Sequence, residues 1–281
     1  MAWRAMCGDS WSPLSVIMPA AQCATGAVPV IPCAGSVRSG GGITIMREHP
    51  QIAIDGPAGV GKSTIGERVA RRLGCLYVDS GAFYRALTAL VVAQGVDPDD
   101  SERLTALAAS SNIRIITPTV HDGRQYTVLA GDTDITTDIT LALRTAEVEK
   151  NVSRVSRHPA VRRALIARMR AMANDQTVVM VGRDIGTVVL PEADLKIWLI
   201  TSLEQRAERR HGDLVASMGA EAPTLDEVRA EIARRDEKDR EQMRPAPDAF
   251  TINNDHLTAE ETVARILSLL RQRRDQREVS P

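Results

Sequence analysis

Gly56-Pro57-Ala58-Gly59-Val60-Gly61-Lys62-Ser63-Thr64 is the stretch on which the fold turns. It fits G-x-x-x-x-G-K-[S/T], and its flanks are those the pattern requires. Before it, Gln51-Ile-Ala-Ile-Asp55 reads as a short buried strand. After it, Ile65, Val69 and Leu73 recur at helical spacing, and Gly74 supplies a stop. The glycines let the backbone curl so that N–H groups point inward, a nest for phosphate oxygens. A helix beginning at Lys62 aims its positive dipole end at the same anion. In such a loop the lysine ammonium reaches the β- and γ-phosphates and the hydroxyl of Ser63 ligates Mg²⁺. All nine residues are therefore expected to hold a nucleoside triphosphate, with Mg²⁺.

Working outward, Cys75 to Val78 is a second strand and Ala82 to Gln94 a second helix closed by Gly95. Strand, loop, helix and strand on such short links make a βαβ unit and predict a parallel sheet. Residues 112–135 break the rhythm. Ile113 to Ile116, Tyr126 to Leu129 and Thr133 to Ile135 alternate like strands, with turns at Asp122-Gly123 and Gly131-Asp132. This is a small antiparallel insert. Helices are expected at about 141–157, 159–173, 203–218 and 225–241, with strands at 178–181, 195–201 and 249–252. A closing helix spans 258–271, and the charged end from Gln272 is expected to fray. The fold class is α/β, a P-loop NTPase three-layer fold with a central parallel sheet.

The 281 residues carry 35 Lys and Arg against 36 Asp and Glu, a net charge of −1. Holding a nucleic acid polymer by bulk charge needs a basic surplus. Aromatics at 3% leave little for a base-stacking platform. No uninterrupted apolar run approaches the length that spans a membrane. Cys7, Cys23, Cys33 and Cys75 show neither C-x-x-C nor zinc-finger spacing and read as thiols of a reducing cytoplasm. Residues 1–45 carry only Arg4, Asp9 and Arg38 as charges, are rich in Pro, Gly, Ser and Ala, and read as a disordered extension. Pro13 and Pro19 interrupt its one partly apolar stretch, which argues against an export signal. The ordered pattern starts directly after Met46, so 46–281 is the expected folded domain and Met46 the expected start.

The loop does not settle what is done with the triphosphate. A GTPase would show N-K-x-D, and Asn253-Asn254-Asp255 lacks the lysine. Compact size favours a small-molecule kinase. Asp79-Ser80-Gly81-Ala82-Phe83-Tyr84-Arg85 and Gly182-Arg183-Asp184-Ile185-Gly186-Thr187 each follow a strand at the edge where open parallel sheets bind ligands. Ser80 suits a helix cap and an anion contact, and Arg85 a bidentate phosphate grip or an ordinary salt bridge. Arg183 with Asp184 offers one anion grip and one acceptor for an amino or hydroxyl group. Arg206, Arg209 and Arg210 on one helix, and Arg234 to Arg240 on the next, would ordinarily be solvated faces. Beside a phosphate loop they suit charge neutralisation and water exclusion during phosphoryl transfer.

Over about residues 50–270 these motifs resemble bacterial cytidylate kinase, a P-loop nucleoside monophosphate kinase. The likeness rests on Ile54 to Thr64, Asp79 to Arg85, Gly182 to Pro191, Asp194 to Trp198 and Arg235-Asp-x-x-Asp239. It implies transfer of the ATP γ-phosphoryl to CMP or dCMP, with Mg²⁺, in a cytoplasmic monomer. It implies that Ser80, Arg85, Arg183 and Arg235 surround the acceptor phosphate. Ser153 and Arg162 would read the cytosine edge with Asp184, and Asp239 would contact the ribose. Arg206, Arg209 and Arg210 match a lid over the ATP phosphates, and Lys62, Arg183, Arg209 and Arg235 are the expected catalytic groups. An acidic acceptor facing an exocyclic amine prefers cytosine over uracil, because the other pairing leaves polar groups unpaired. One departure stands out. Gln242 occupies the position of a family arginine, and the following segment runs about four residues short by comparison with the family. Arg244 is the expected substitute for the missing phosphate contact.

Overall fold

The computed structural model describes residues 49–135, 145–240 and 243–278. The expected N-terminal extension, Met46, Cys7, Cys23, Cys33, Gln242 and the first residues of the helix expected from 141 lie outside them. In chain order the strands are β1 (Gln51–Asp55), β2 (Leu76–Asp79), β3 (Ile113–Ile116), β4 (Thr127–Ala130), β5 (Thr133–Asp134), β6 (Val178–Gly182), β7 (Leu195–Ile200) and β8 (Phe250–Asn253). The α-helices are α1 (Lys62–Leu73), α2 (Ser80–Ala93), α3 (Ser101–Ser110), α4 (Ala146–Ser156), α5 (Pro159–Asp175), α6 (Leu203–Met218), α7 (Leu225–Asp239) and α8 (Ala259–Glu278).

The main sheet runs β2-β6-β1-β7-β8 and is parallel throughout. β1 lies between two partners and every residue in it is buried, which is why its middle, Ile52-Ala53-Ile54, is apolar. Its register sets Asp55 opposite Gly182 on one side and Trp198 on the other. That pairing brings the ends of β1 and β6, and the loops leaving them, to the same edge of the sheet. Helices cover the sheet, α1 against β6, β2 and α8, and α2 against β6, making the α/β layers expected. Gly66 permits the close approach of α1: a Cβ there would come within 2.4 Å of Val181 Cγ1. β3-β4-β5 form the antiparallel insert.

α6 and α7 pack on each other around their own small apolar cluster of Ala207, Val228 and Ile232, apart from the main core. A capping box at Thr224 and Glu227 starts α7.

The chain departs from expectation in three places. α3 has no counterpart in the sequence reading. Only Leu104 and Ala108 of its ten residues are buried, too narrow a stripe to register as periodicity. The closing helix does not fray at Gln272 but continues to Glu278. Its last turns hold Arg, Gln, Asp and Glu, with neither Gly nor Pro to break them. Arg273 also ties that end to the sheet, its guanidinium 5.1 Å from the Phe250 ring centroid. Finally, residues 185–189 form one π-helical turn, with Val189 N–H donating to Asp184 O at 3.1 Å and Leu190 N–H to Ile185 O at 2.6 Å.

Candidate active site

The phosphate loop leaves β1 at Asp55 and enters α1 at Lys62. Gly56 cannot be replaced without moving backbone: its φ is 153°, and a Cβ there would lie 2.4 Å from the Leu199 carbonyl oxygen. Gly61 precedes α1 and offers no side-chain cap, so no cap takes up the first-turn N–H groups. The Lys62 ammonium sits in the loop's mouth, donating to Gly56 O at 2.8 Å and Pro57 O at 2.7 Å. Burial, aided by the nearby Arg183 charge, pulls its pKa down to about 7. Ser63 and Thr64 stand exposed at the start of α1.

Around this lysine the structure gathers cations. Arg183, at the end of β6, pairs with Asp239 at 2.8 Å and touches Met243 Sδ at 3.3 Å. Its own pKa is lowered, first by burial and then by Arg235 and Arg206, and raised by Asp239 and Asp236. Arg235 is exposed on α7 yet near enough to bear on both Lys62 and Arg183. Arg206 is 6% exposed and bridges two elements: it donates to Ala58 O at 2.9 Å and pairs with Asp236 at 2.7 Å. Four cationic side chains from β6, α6, α7 and the loop thus converge. A buried lysine with a lowered pKa, gathered with three arginines around a glycine-rich loop, marks a place suited to a polyanion.

The second group lies at the ends of β2 and β6. Asp79 caps α2 through Gly81 N–H at 2.9 Å and holds Arg85 at 2.8 Å. Arg85 therefore does sit in an ion pair, but one largely shielded from solvent, and the Tyr126 hydroxyl accepts a further hydrogen bond from it. Ser80 is buried beside Gly182, where a Cβ would lie 2.6 Å from Ser80 Oγ. Arg162, on α5, pairs with Asp184 at 2.6 Å and lies 5.8 Å from the Tyr84 ring centroid. Burial lifts the Tyr84 phenol to about 12, so that ring keeps its proton at any working pH.

Several expected residues stand apart. Ser153 is exposed on α4. Arg209 is exposed and donates to Asn254 O at 2.9 Å and Asp255 O at 3.3 Å. It approaches the phosphate loop only through Asn254, whose amide donates to Val60 O at 3.0 Å. Arg210 and Arg244 are exposed, although the contact between Arg183 and Met243 brings the start of the 243–249 segment against the cationic group. Sequence reasoning missed the carboxylates that hold the arginines, Asp79 for Arg85 and Asp236 for Arg206. It also missed Asp55, which accepts from Ile185 N–H at 2.8 Å and Gly186 N–H at 2.7 Å. The available signal was a carboxylate placed directly before or within each motif.

Comparison with known proteins adds the family. A family model described as cytidylate kinase matches residues 52–272. A cytidylate kinase of Chloroflexus aggregans is 47% identical over 223 residues, covering 79% of this chain and 94% of that one. One of Roseiflexus castenholzii is 46% identical over 225 residues, with 80% and 94% covered. One of Geobacillus kaustophilus is 43% identical over 232 residues, with 81% and 99% covered.

Proposed function

The chain belongs to the cytidylate kinase family and phosphorylates CMP at the expense of ATP; we propose that the residues just described carry out that transfer, and that dCMP is also an acceptor. The observation that carries the site assignment is the convergence of Lys62, Arg183, Arg206 and Arg235 beside a glycine-rich loop.

In this reading the loop from Gly56 to Thr64 holds the ATP phosphates by its N–H groups, with Lys62 on the β- and γ-phosphates. Ser80, Arg85, Arg183 and Arg235 hold the CMP phosphate. Asp184 accepts from the cytosine amine, steadied by Arg162, with Ser153 at the base edge and Asp239 on the ribose. A CMP phosphate oxygen attacks the γ-phosphorus in line, the bond to the β–γ bridging oxygen breaks, and ADP leaves with the electron pair. A phosphate monoester with a second pKa near 6 is largely ionised at neutral pH, so the attack needs no general base. Catalysis is positioning and charge neutralisation, without a covalent enzyme intermediate. Closure of α6 and α7, carrying Arg206, Arg209 and Arg210, keeps water from the γ-phosphate.

The donor set suits Mg²⁺ arriving with the nucleotide. Among the described residues no group of three acidic or imidazole side chains could hold the ion alone, while the Ser63 hydroxyl stands at the loop. Ser63 and the phosphate oxygens would hold it, and it would supply charge neutralisation to the transferring phosphoryl. No described helix is long and apolar enough to cross a membrane. We place the enzyme in the cytoplasm, acting as a monomer whose catalytic unit is residues 46–281.

The test is ADP release from the full chain with ATP and Mg²⁺, offering CMP, dCMP, UMP, AMP and shikimate separately. Turnover with CMP and dCMP far above the others is expected. A folded protein that binds ATP and CMP and consumes neither would overturn the reading.

A further inference from the structure

The turn that presents Arg183 and Asp184 has an unusual source for its cap. A helical turn leaves its first N–H groups without internal partners, and the residue before it ordinarily supplies a side-chain oxygen. That residue here is Asp184, whose carboxylate makes no such bond and is turned instead to Arg162 at 2.6 Å. The open donors, Ile185 N–H and Gly186 N–H, go to the two oxygens of Asp55 at 2.8 and 2.7 Å. Asp55 is 130 residues away in sequence, at the end of β1 and immediately before Gly56.

Each part of this arrangement is needed. Asp55 is 5% exposed, so an unpaired carboxylate would be costly there. Parallel pairing sets it opposite Gly182, one residue before Arg183. Gly186 lets the backbone come close, since a Cβ on it would already stand 3.4 Å from Asp55 Oδ2 and 3.3 Å from Lys196 Cδ. Burial raises the Asp55 pKa to about 6 while the two backbone bonds pull it down, and the nearby charges are Asp184 and Lys62. At neutral pH it is therefore ionised and accepts both bonds.

We propose that Asp55 is a positioning residue for acceptor recognition: a cap lent by β1 that holds the 183–189 turn, so that the Asp184 carboxylate is not spent on the turn's N–H groups and faces the acceptor base beside Arg162. Because Asp55 directly precedes the phosphate loop, the same residue sets the donor loop and the acceptor-reading turn relative to each other. This rests on the reading of Asp184 given above.

Three proteins decide it: Asp55→Asn, Asp184→Asn and the double variant, each as the full chain and beside the wild type. Asparagine keeps the shape but sets an amide N–H₂ against one of the two backbone donors. In Asp55→Asn the KM for CMP rises about ten- to a hundredfold, the equivalent of one charge-assisted hydrogen bond. The KM for ATP stays within about twofold, and the preference for CMP over UMP narrows. The double variant is no worse toward CMP than Asp184→Asn alone, because both changes remove the same interaction. An Asp55 that only stabilised the fold would lower the melting temperature and shift both KM values together. That result, an unchanged KM for CMP in a folded Asp55→Asn protein, or fully additive variants would each overturn the proposal. A wild type inactive on CMP would instead overturn the substrate reading beneath it. Should Asp55→Asn not fold, hydrogen exchange of the wild type decides. The cap requires slow exchange at Ile185 and Gly186 with and without CMP, and exchange as fast as in an open loop rules it out.

Discussion

Lys62 titrates near 7 in the folded chain, against 10.5 for an ordinary lysine, because it is desolvated and stands beside Arg183. Bound phosphates offset both effects by supplying negative charge at the ammonium. At pH 8 a group with a pKa of about 7 is about one-tenth protonated, and one restored to its ordinary value is almost wholly so. Binding of ATP at pH 8 should therefore take up about 0.9 proton. The terminal phosphate of ATP is already ionised at that pH and contributes little. Isothermal titration in buffers of different ionisation enthalpy reads the uptake directly. In Lys62→Met the chain length is kept and the charge removed, so the uptake should vanish and ATP should bind about ten- to a hundredfold more weakly. The same shift has a stability consequence. Between pH 7 and 10 the unfolded lysine binds the proton that the folded one has lost, so stability should rise with pH across that window in the wild type, and less so in Lys62→Met. Uptake below about 0.2 proton in the wild type, or the same uptake in the variant, would show that the Lys62 pKa is not lowered in the empty site and raised by a bound anion.

Gly56→Ala should cost about 2–4 kcal/mol in urea unfolding and abolish ATP binding, since its Cβ meets backbone 2.4 Å away at a φ of 153°. Asp79→Asn removes the negative charge that holds Arg85 and should raise the KM for CMP about tenfold with the KM for ATP unmoved, as read from initial rates. Arg244→Ala should raise the KM for CMP by about ten- to a hundredfold if this arginine stands in for the family's missing one, and an unchanged value removes it from the site. Asp184→Asn should narrow the preference for CMP over UMP at least tenfold in competition assays, by loss of the only acidic acceptor proposed for the cytosine amine.

The parallel sheet was legible because β1 is an apolar run followed by a glycine loop and a periodic helix, three signals that agree. Arg183, Asp184 and Arg85 were legible for a related reason: each follows a strand, and strand ends in such sheets meet at one edge. What stayed hidden depends on tertiary pairing. Nothing in the local sequence says that Asp55 bonds to residues 185 and 186, because the contact exists only once β1 and β6 lie side by side in register. Arg206 and Arg209 show the same limit from the other direction. They are three residues apart on one helix, yet one is buried against the phosphate loop and the other reaches the 254–255 carbonyls. The extent of α8 was misjudged because a charged tail reads as solvated whether or not it is helical, and the Arg273–Phe250 contact that anchors it is long-range.

In the reacting complex one cationic cluster surrounds the transferring phosphoryl while Asp184 reads the acceptor base. A crystal structure of the full chain with ADP, Mg²⁺, aluminium fluoride and CMP tests it most directly. The fluoride group is expected within hydrogen-bond reach of Lys62, Arg183 and Arg235, in line with a CMP phosphate oxygen, and the cytosine amine on Asp184. A fluoride group away from Arg183 and Arg235, or a base bound with Asp184 still turned wholly to Arg162, would contradict it.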